Sequence, residues 1–194
     1  VHYSQLPEEI QRTVVPDMEG KVLINDLDFQ INNISREREL PSVVTGWPVS
    51  YTGSNCKNGA IYVNMDADPE LEILFGVGTK ITALNLDGTT VPGWPVQLSF
   101  YIWSSPAAGD IDGDGEMEIV CTSRNNSTAN TGALYAFELD GTSCAGFPVT
   151  QAGGGTNNVC LADLDADGDM EILVNERSHP QGWVYVYDGD GSIY

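Results

Sequence analysis

The stretch that decides the fold is "GDIDGDGEMEIV", Gly109–Val120. Acidic residues stand at every second position (Asp110, Asp112, Asp114, Glu116, Glu118), glycines at 113 and 115 lie among them, and an apolar run follows. Nearly the same text returns as "DLDADGDMEILV" at Asp163–Val174 and, altered, as "NMDADPELEILF" at Asn64–Phe75. The equivalent positions Asp66, Asp112 and Asp165 are 46 and 53 residues apart. Two other blocks recur in the same order. One is "ITALNLDG" (Ile81–Gly88), "LYAFELDG" (Leu134–Gly141) and "WVYVYDGDG" (Trp183–Gly191). The other is "GWPV" at Gly46–Val49 and Gly93–Val96, then "GFPV" at Gly146–Val149. Three unrelated blocks in one fixed order mark an internal repeat.

Each unit reads as a small antiparallel sheet. The acidic loop feeds an apolar strand, a variable turn leads to a second strand, "LDG" turns the chain, and the Gly-aromatic-Pro-Val block begins a further strand. In Trp183–Tyr187 aromatic residues alternate with valine, so both faces are apolar and both need cover. Sheets stacked face to face as propeller blades provide it, with the Trp or Phe of the Pro-Val block wedged between neighbours. The expectation is an all-β chain: a partial or open β-propeller of about three to four antiparallel blades carrying calcium loops. Blades are expected at about 50–98, 99–150 and 151–194 within a repeat region 41–194. Residues 1–40 do not match the repeat and read as an N-terminal extension, a degenerate first blade or the end of a preceding domain. Closed propellers need about four to eight blades. The expectation is therefore a piece of a longer protein, an open array, or subunits that complete one another's rings.

The alternating acids call for a cation. Ca²⁺ takes six to eight oxygens, and a tight loop with carboxylates at alternate positions turns them inward, a glycine at the sixth position permitting the bend. In the second unit the expected ligands are the side chains of Asp110, Asp112, Asp114 and Glu118 and the carbonyl of Glu116. In the third they are Asp163, Asp165, Asp167 and Glu171 with the carbonyl of Asp169. The first unit keeps the spacing with Asn64, Asp66, Asp68, Glu70 and Glu72, but Pro69 stands at the sixth position, where its fixed φ forbids a left-handed bend. Two Ca²⁺ sites are expected, and a third is left open. An EF-hand is excluded by flanks that read as β and by Cys121 or Val174 at the twelfth position, where a bidentate Glu belongs.

The whole composition agrees. Eight Lys and Arg face 28 Asp and Glu, a net charge of −20. Such a chain does not neutralise nucleic-acid phosphates and avoids anionic membrane surfaces. No apolar run is long enough to span a bilayer. The opening "VHYSQLPEEI" has no signal-peptide character, so any leader is expected to have been removed or to lie upstream. Cys56, Cys121, Cys144 and Cys160 form no CxxC, which disfavours zinc. Cys144 and Cys160 are spaced to staple a connection between blades, whereas Cys121 falls on a core strand position and reads as a free thiol.

The segments "SSPAAGDIDGDGEMEIV" (Ser104–Val120) and "NNVCLADLDADGDMEILV" (Asn157–Val174) resemble the FG-GAP/VCBS repeats of integrin-α-like β-propellers. The resemblance spans about 41–194. It implies a calcium loop between the first two strands of each blade, with ligands at positions 1, 3, 5, 7 and 9, and a place in secreted or surface proteins. The Phe-Gly pair that names the family is absent before these loops, and position 9 is Glu where Asp is usual.

A non-catalytic module for an extracellular protein or glycan is therefore the expected function. The alternatives are an accessory module of a secreted hydrolase or polysaccharide lyase, and a purely structural surface or fibre component. His2 and His179 are the only imidazoles, and no G-x-S-x-G, H-E-x-x-H or phosphate-binding glycine loop is present. Sequons occur at Asn33 and Asn125.

Overall fold

The computed structural model describes residues 46–51, 55–56, 58–66, 68–125, 131–152, 156–177 and 182–194. The chain divides into two compact units, Val1–Val44 and Thr45–Tyr194. The expectations for residues 1–40, His2, His179, the Asn33 sequon and most of the Asn125 sequon lie outside the described residues.

The second unit is all-β, and no helix occurs among the described residues. Strands β1 (Ile61–Val63), β2 (Glu72–Val77), β3 (Lys80–Leu84) and β4 (Val96–Gln97) form the first sheet in chain order. In the second, β5 (Tyr101–Ile102) and β6 (Ala107–Gly109) both pair with β7 (Glu118–Arg124), followed by β8 (Thr131–Phe137) and β9 (Val149–Ala152). The third holds β10 (Thr156–Ala162), β11 (Glu171–Arg177) and β12 (Gly182–Tyr187). All pairings are antiparallel and the register repeats: Ile73 faces Leu84, Ile119 faces Phe137 and Ile172 faces Tyr187.

The alternation of strand side chains explains the packing. On β7, Ile119 and Cys121 join a core with Leu74, Ile81 and Ala83 of the first sheet, whereas Val120 joins Ile172 and Val174 of the third. The second sheet is thus buried on both faces, as its continuous apolar strands require. Each fully buried Ile or Leu contributes about 1.5–3 kcal/mol.

Neighbouring units are joined by one recurring latch. Gly46, Gly93 and Gly146 have φ of 92°, 85° and 84°. A Cβ on any of them would strike the carbonyl oxygen of Asp87, Asp140 or Asp190, the aspartate of the next unit's turn. The contact is reciprocal: a Cβ on Gly88 or Gly141 would lie 2.8 Å from the Gly46 or Gly93 carbonyl oxygen. Trp47 Nε1 donates to the Leu86 carbonyl at 2.6 Å, and Trp94 Nε1 to the Leu139 carbonyl at 2.9 Å. Phe147, the third member, has no ring donor. The bonds Trp47–Pro48, Trp94–Pro95 and Phe147–Pro148 are all cis.

Two expectations need correction. Cys144 and Cys160 are free thiols: Cys144 is buried in the core between the second and third sheets, and Cys160 is exposed. Cys121 is the buried free thiol expected, its pKa pushed up to about 12 by burial. The strand Trp183–Tyr187 is not covered on both faces. Trp183 is 52% exposed and Val184 69%, because the third sheet has neither a fourth strand nor a further sheet behind it among the described residues.

Candidate metal centres

All three acidic loops lie between a sheet's entering strand and its long central strand: β1 and β2, β6 and β7, β10 and β11. Each gathers a carboxylate triplet: Asp66, Asp68 and Glu72; Asp110, Asp112 and Glu118; Asp163, Asp165 and Glu171. In each triplet one oxygen per residue lies within 4.8 Å of the others. These three clusters have the donor set to hold metal ions.

The glutamate at position 9 organises each loop. It opens the central strand, where it is buried: 1% exposed for Glu72, 0% for Glu118 and 5% for Glu171. Its Oε2 accepts the backbone N–H of position 2, from Met65 at 2.6 Å, Ile111 at 2.8 Å and Leu164 at 2.6 Å. The strand thus pulls the loop's start onto its own first residue. Within the loops, successive aspartates accept backbone N–H groups two residues on, as Asx turns do. Asp112 takes Asp114 N, Asp114 takes Glu116 N, Asp165 takes Asp167 N and Asp167 takes Asp169 N. Asp114 and Asp167 fall outside the triplets, and the Glu70 and Glu116 side chains point to solvent, leaving position 7 its carbonyl.

Pro69 changes the first loop without dispersing its acids. In the second loop Gly115 N donates to Asp110 Oδ2 at 2.9 Å. Proline has no N–H to offer there. Asn64 instead donates from Nδ2 to the Asp68 carbonyl at 2.8 Å. The left-handed bend falls at two positions in the other loops: Gly113 and Gly115 have φ of 76° and 90°, Ala166 and Gly168 66° and 109°.

Electrostatics single out Glu118. Its Oε1 is buried and has no hydrogen-bond partner. Burial pushes its pKa up to about 7 against the opposing pull of the Ile111 amide, and the charges of Asp112, Glu138 and Asp114 push it the same way. A buried carboxylate oxygen without a donor, set among other acids, is the environment that a cation relieves.

The third loop also leans on the second. Met170 N donates to the Asp110 carbonyl at 2.9 Å, and the Asp169 carboxylate packs against Gly113, where a Cβ would have to displace it. Desolvation, then the charges of Asp167, Asp110, Asp112 and Asp163, hold the Asp169 pKa above the usual range. Sequence reasoning gave Asp169 only a carbonyl role. The glycine at 113, opposite an acid one repeat later, was the available signal. The bond from position 9 to the position 2 amide was missed because a buried acid at a strand start looks like one more ligand.

Residues 102–137, from β5 through the second acidic loop to β8, match the FG-GAP repeat family. No curated protein matches the chain. Among solved structures it is similar to the V. cholerae biofilm matrix protein Bap1, with 17% identity and a TM-score of 0.34. That alignment covers 70% of this chain and 27% of Bap1, so the chain spans about a quarter of that structure's length.

Proposed function

We propose that this chain is a non-catalytic, calcium-stabilised repeat module of a secreted or surface protein, with its three sheets as blades of a partial or open propeller. Its role is to hold loops rigidly for an extracellular protein or glycan. The buried, unpartnered Glu118 Oε1 within a carboxylate triplet carries the reading. Ca²⁺ suits an all-oxygen site of this kind, and bound ions offset part of the −20 charge. In the second loop Asp110, Asp112 and Glu118 hold the ion, with Asp114 and the Glu116 carbonyl completing the shell. Asp163, Asp165, Asp167, Glu171 and the Asp169 carbonyl do the same in the third, and Asn64, Asp66, Asp68, Glu72 and the Glu70 carbonyl in the first. The FG-GAP match over 102–137 and the identical latches between sheets support a repeat module rather than an enzyme.

The test is a thermal melt with Ca²⁺ and with a chelator. Binding to the native state alone stabilises by about 2.7 kcal/mol at a hundredfold excess over Kd. The expected result is an upward shift that shrinks in Asp112→Ala and Asp165→Ala. No shift at millimolar Ca²⁺ overturns the cation reading. Retention on immobilised polysaccharide or protein without product release supports a binding role, whereas released product assigns an enzyme.

A further inference from the structure

The third unit grips the second acidic loop along its backbone. Met170 N donates to the Asp110 carbonyl at 2.9 Å. A Cβ on Gly109 would meet the Met170 sulfur at 2.6 Å, and one on Gly113 would have to displace the Asp169 carboxylate. In the third unit's turn, a Cβ on Gly189 would strike the Ile111 carbonyl oxygen. Every one of these contacts borders a candidate ligand. Asp110 is itself one, and Ile111 carries the N–H that Glu118 holds. Met170 stands between the Asp169 carbonyl and Glu171.

The joint between the first two sheets is built otherwise. Leu139 holds the place of Gly189, and a side chain there forbids the approach that the glycine makes. A cavity of about 720 Å³ opens instead, lined by Met65 and Asp66 of the first loop and by Glu116, Met117 and Leu139 of the second unit. Glu116 is exposed and Met117 is 38% exposed, whereas the equivalent Asp169 and Met170 are half-buried.

We infer that the second and third loops bind cations as a coupled pair, an ion in either raising the affinity of the other, while the first loop binds on its own. This rests on the cation reading of the proposed function. An empty loop is ordered by its ion at a cost in backbone entropy. An ion in the second loop fixes Asp110, and through it Met170 and the ligands on either side, so less of that cost remains for the third. The reverse order gives the same factor. Two divalent ions also repel each other. The charges of Asp110 and Asp112 from one loop and of Asp163 and Asp167 from the other all bear on the Asp169 carboxylate, which makes it the counter-charge between the two ions.

The test is calorimetric titration of the full chain with Ca²⁺, with melts in chelator to verify folding. Asp66→Ala silences the first loop and leaves the coupled pair. Its isotherm is expected to have a Hill slope above one, corresponding to coupling of at least about fivefold. Asp165→Ala leaves the first and second loops, and its slope is expected not to exceed one. In the Asp66→Ala chain, Asp169→Asn removes the counter-charge and Gly189→Ala wedges the joint without touching a ligand. Each is expected to bring the slope down to one or below. Two ions bound without coupling in the Asp66→Ala chain, equal coupling in the Asp165→Ala chain, or coupling that survives both Asp169→Asn and Gly189→Ala overturns this inference alone. No binding in any chain overturns the cation reading and this inference with it.

Discussion

The first and second acidic loops differ at their bend and agree in their product. Gly115 turns the second loop through a left-handed conformation that Pro69 cannot adopt in the first, yet both bring a carboxylate triplet together. Both keep the bond from the position 9 glutamate to the position 2 amide. The strand-borne glutamate, and not the glycine, therefore gathers the acids. Asn64 takes over the bracing that proline removes, because an amide side chain can donate where aspartate only accepts.

The largest effect that can break this comparison is loss of the organising glutamate. Glu118→Ala is expected to destabilise the fold by roughly 3 kcal/mol, because it leaves a cavity and the Ile111 amide unpaired. Glu118→Gln keeps an acceptor for that amide and removes the buried charge. In chelator it is expected to be at least as stable as wild type, while Ca²⁺ no longer raises its melting temperature as far. Urea melts in both conditions check the opposed signs.

The bend should matter less. Gly115→Ala places a side chain at φ 90° and is expected to cost about 1–2 kcal/mol. Pro69→Gly is expected to cost about 0.5–1 kcal/mol, through a freer unfolded chain, and to leave Ca²⁺ affinity in place. Comparable losses at the two positions would mean that the bend, and not the glutamate, sets the loop.

The smallest expected effect is on pH. With its folded pKa raised to about 7 from an ordinary 4.5, Glu118 binds its proton more tightly in the folded state. In chelator stability is therefore highest below pH 4.5 as far as this group is concerned, and declines as pH rises through 7. A melting temperature a few degrees lower at pH 7.5 than at pH 5, with the slope flattened in Glu118→Gln, would bear this out.

Much of the fold was legible because its signals are local. The loop spacing, the apolar strands and the "LDG" turns each sit within about ten residues, and the sheets fall on them. The latch was not legible as a contact. It joins Gly46 to Asp87 and Gly93 to Asp140, and a glycine whose carbonyl packs on a distant turn leaves no chemical trace of its partner. The paired tryptophans, donating to Leu86 and Leu139, were visible only as wedges. The Cys144–Cys160 staple failed because spacing along the chain says nothing about depth: one thiol faces a core and the other solvent. The Trp183–Tyr187 strand was read as covered on both faces from its own alternation of aromatic residues and valine, and among the described residues no fourth strand lies beside it.

The latch has a bearing on how such a chain can lengthen. Its central contact is made of glycine backbone and a turn carbonyl, with a tryptophan ring N–H as a second bond in two of the three copies. The spacing between the loop aspartates Asp66, Asp112 and Asp165 stretches from 46 to 53 residues while the joint stays the same. A duplicated segment would carry both halves of the coupling with it, one at each end. The turns between the strands can then vary in length without changing the seam that sets one sheet against the next.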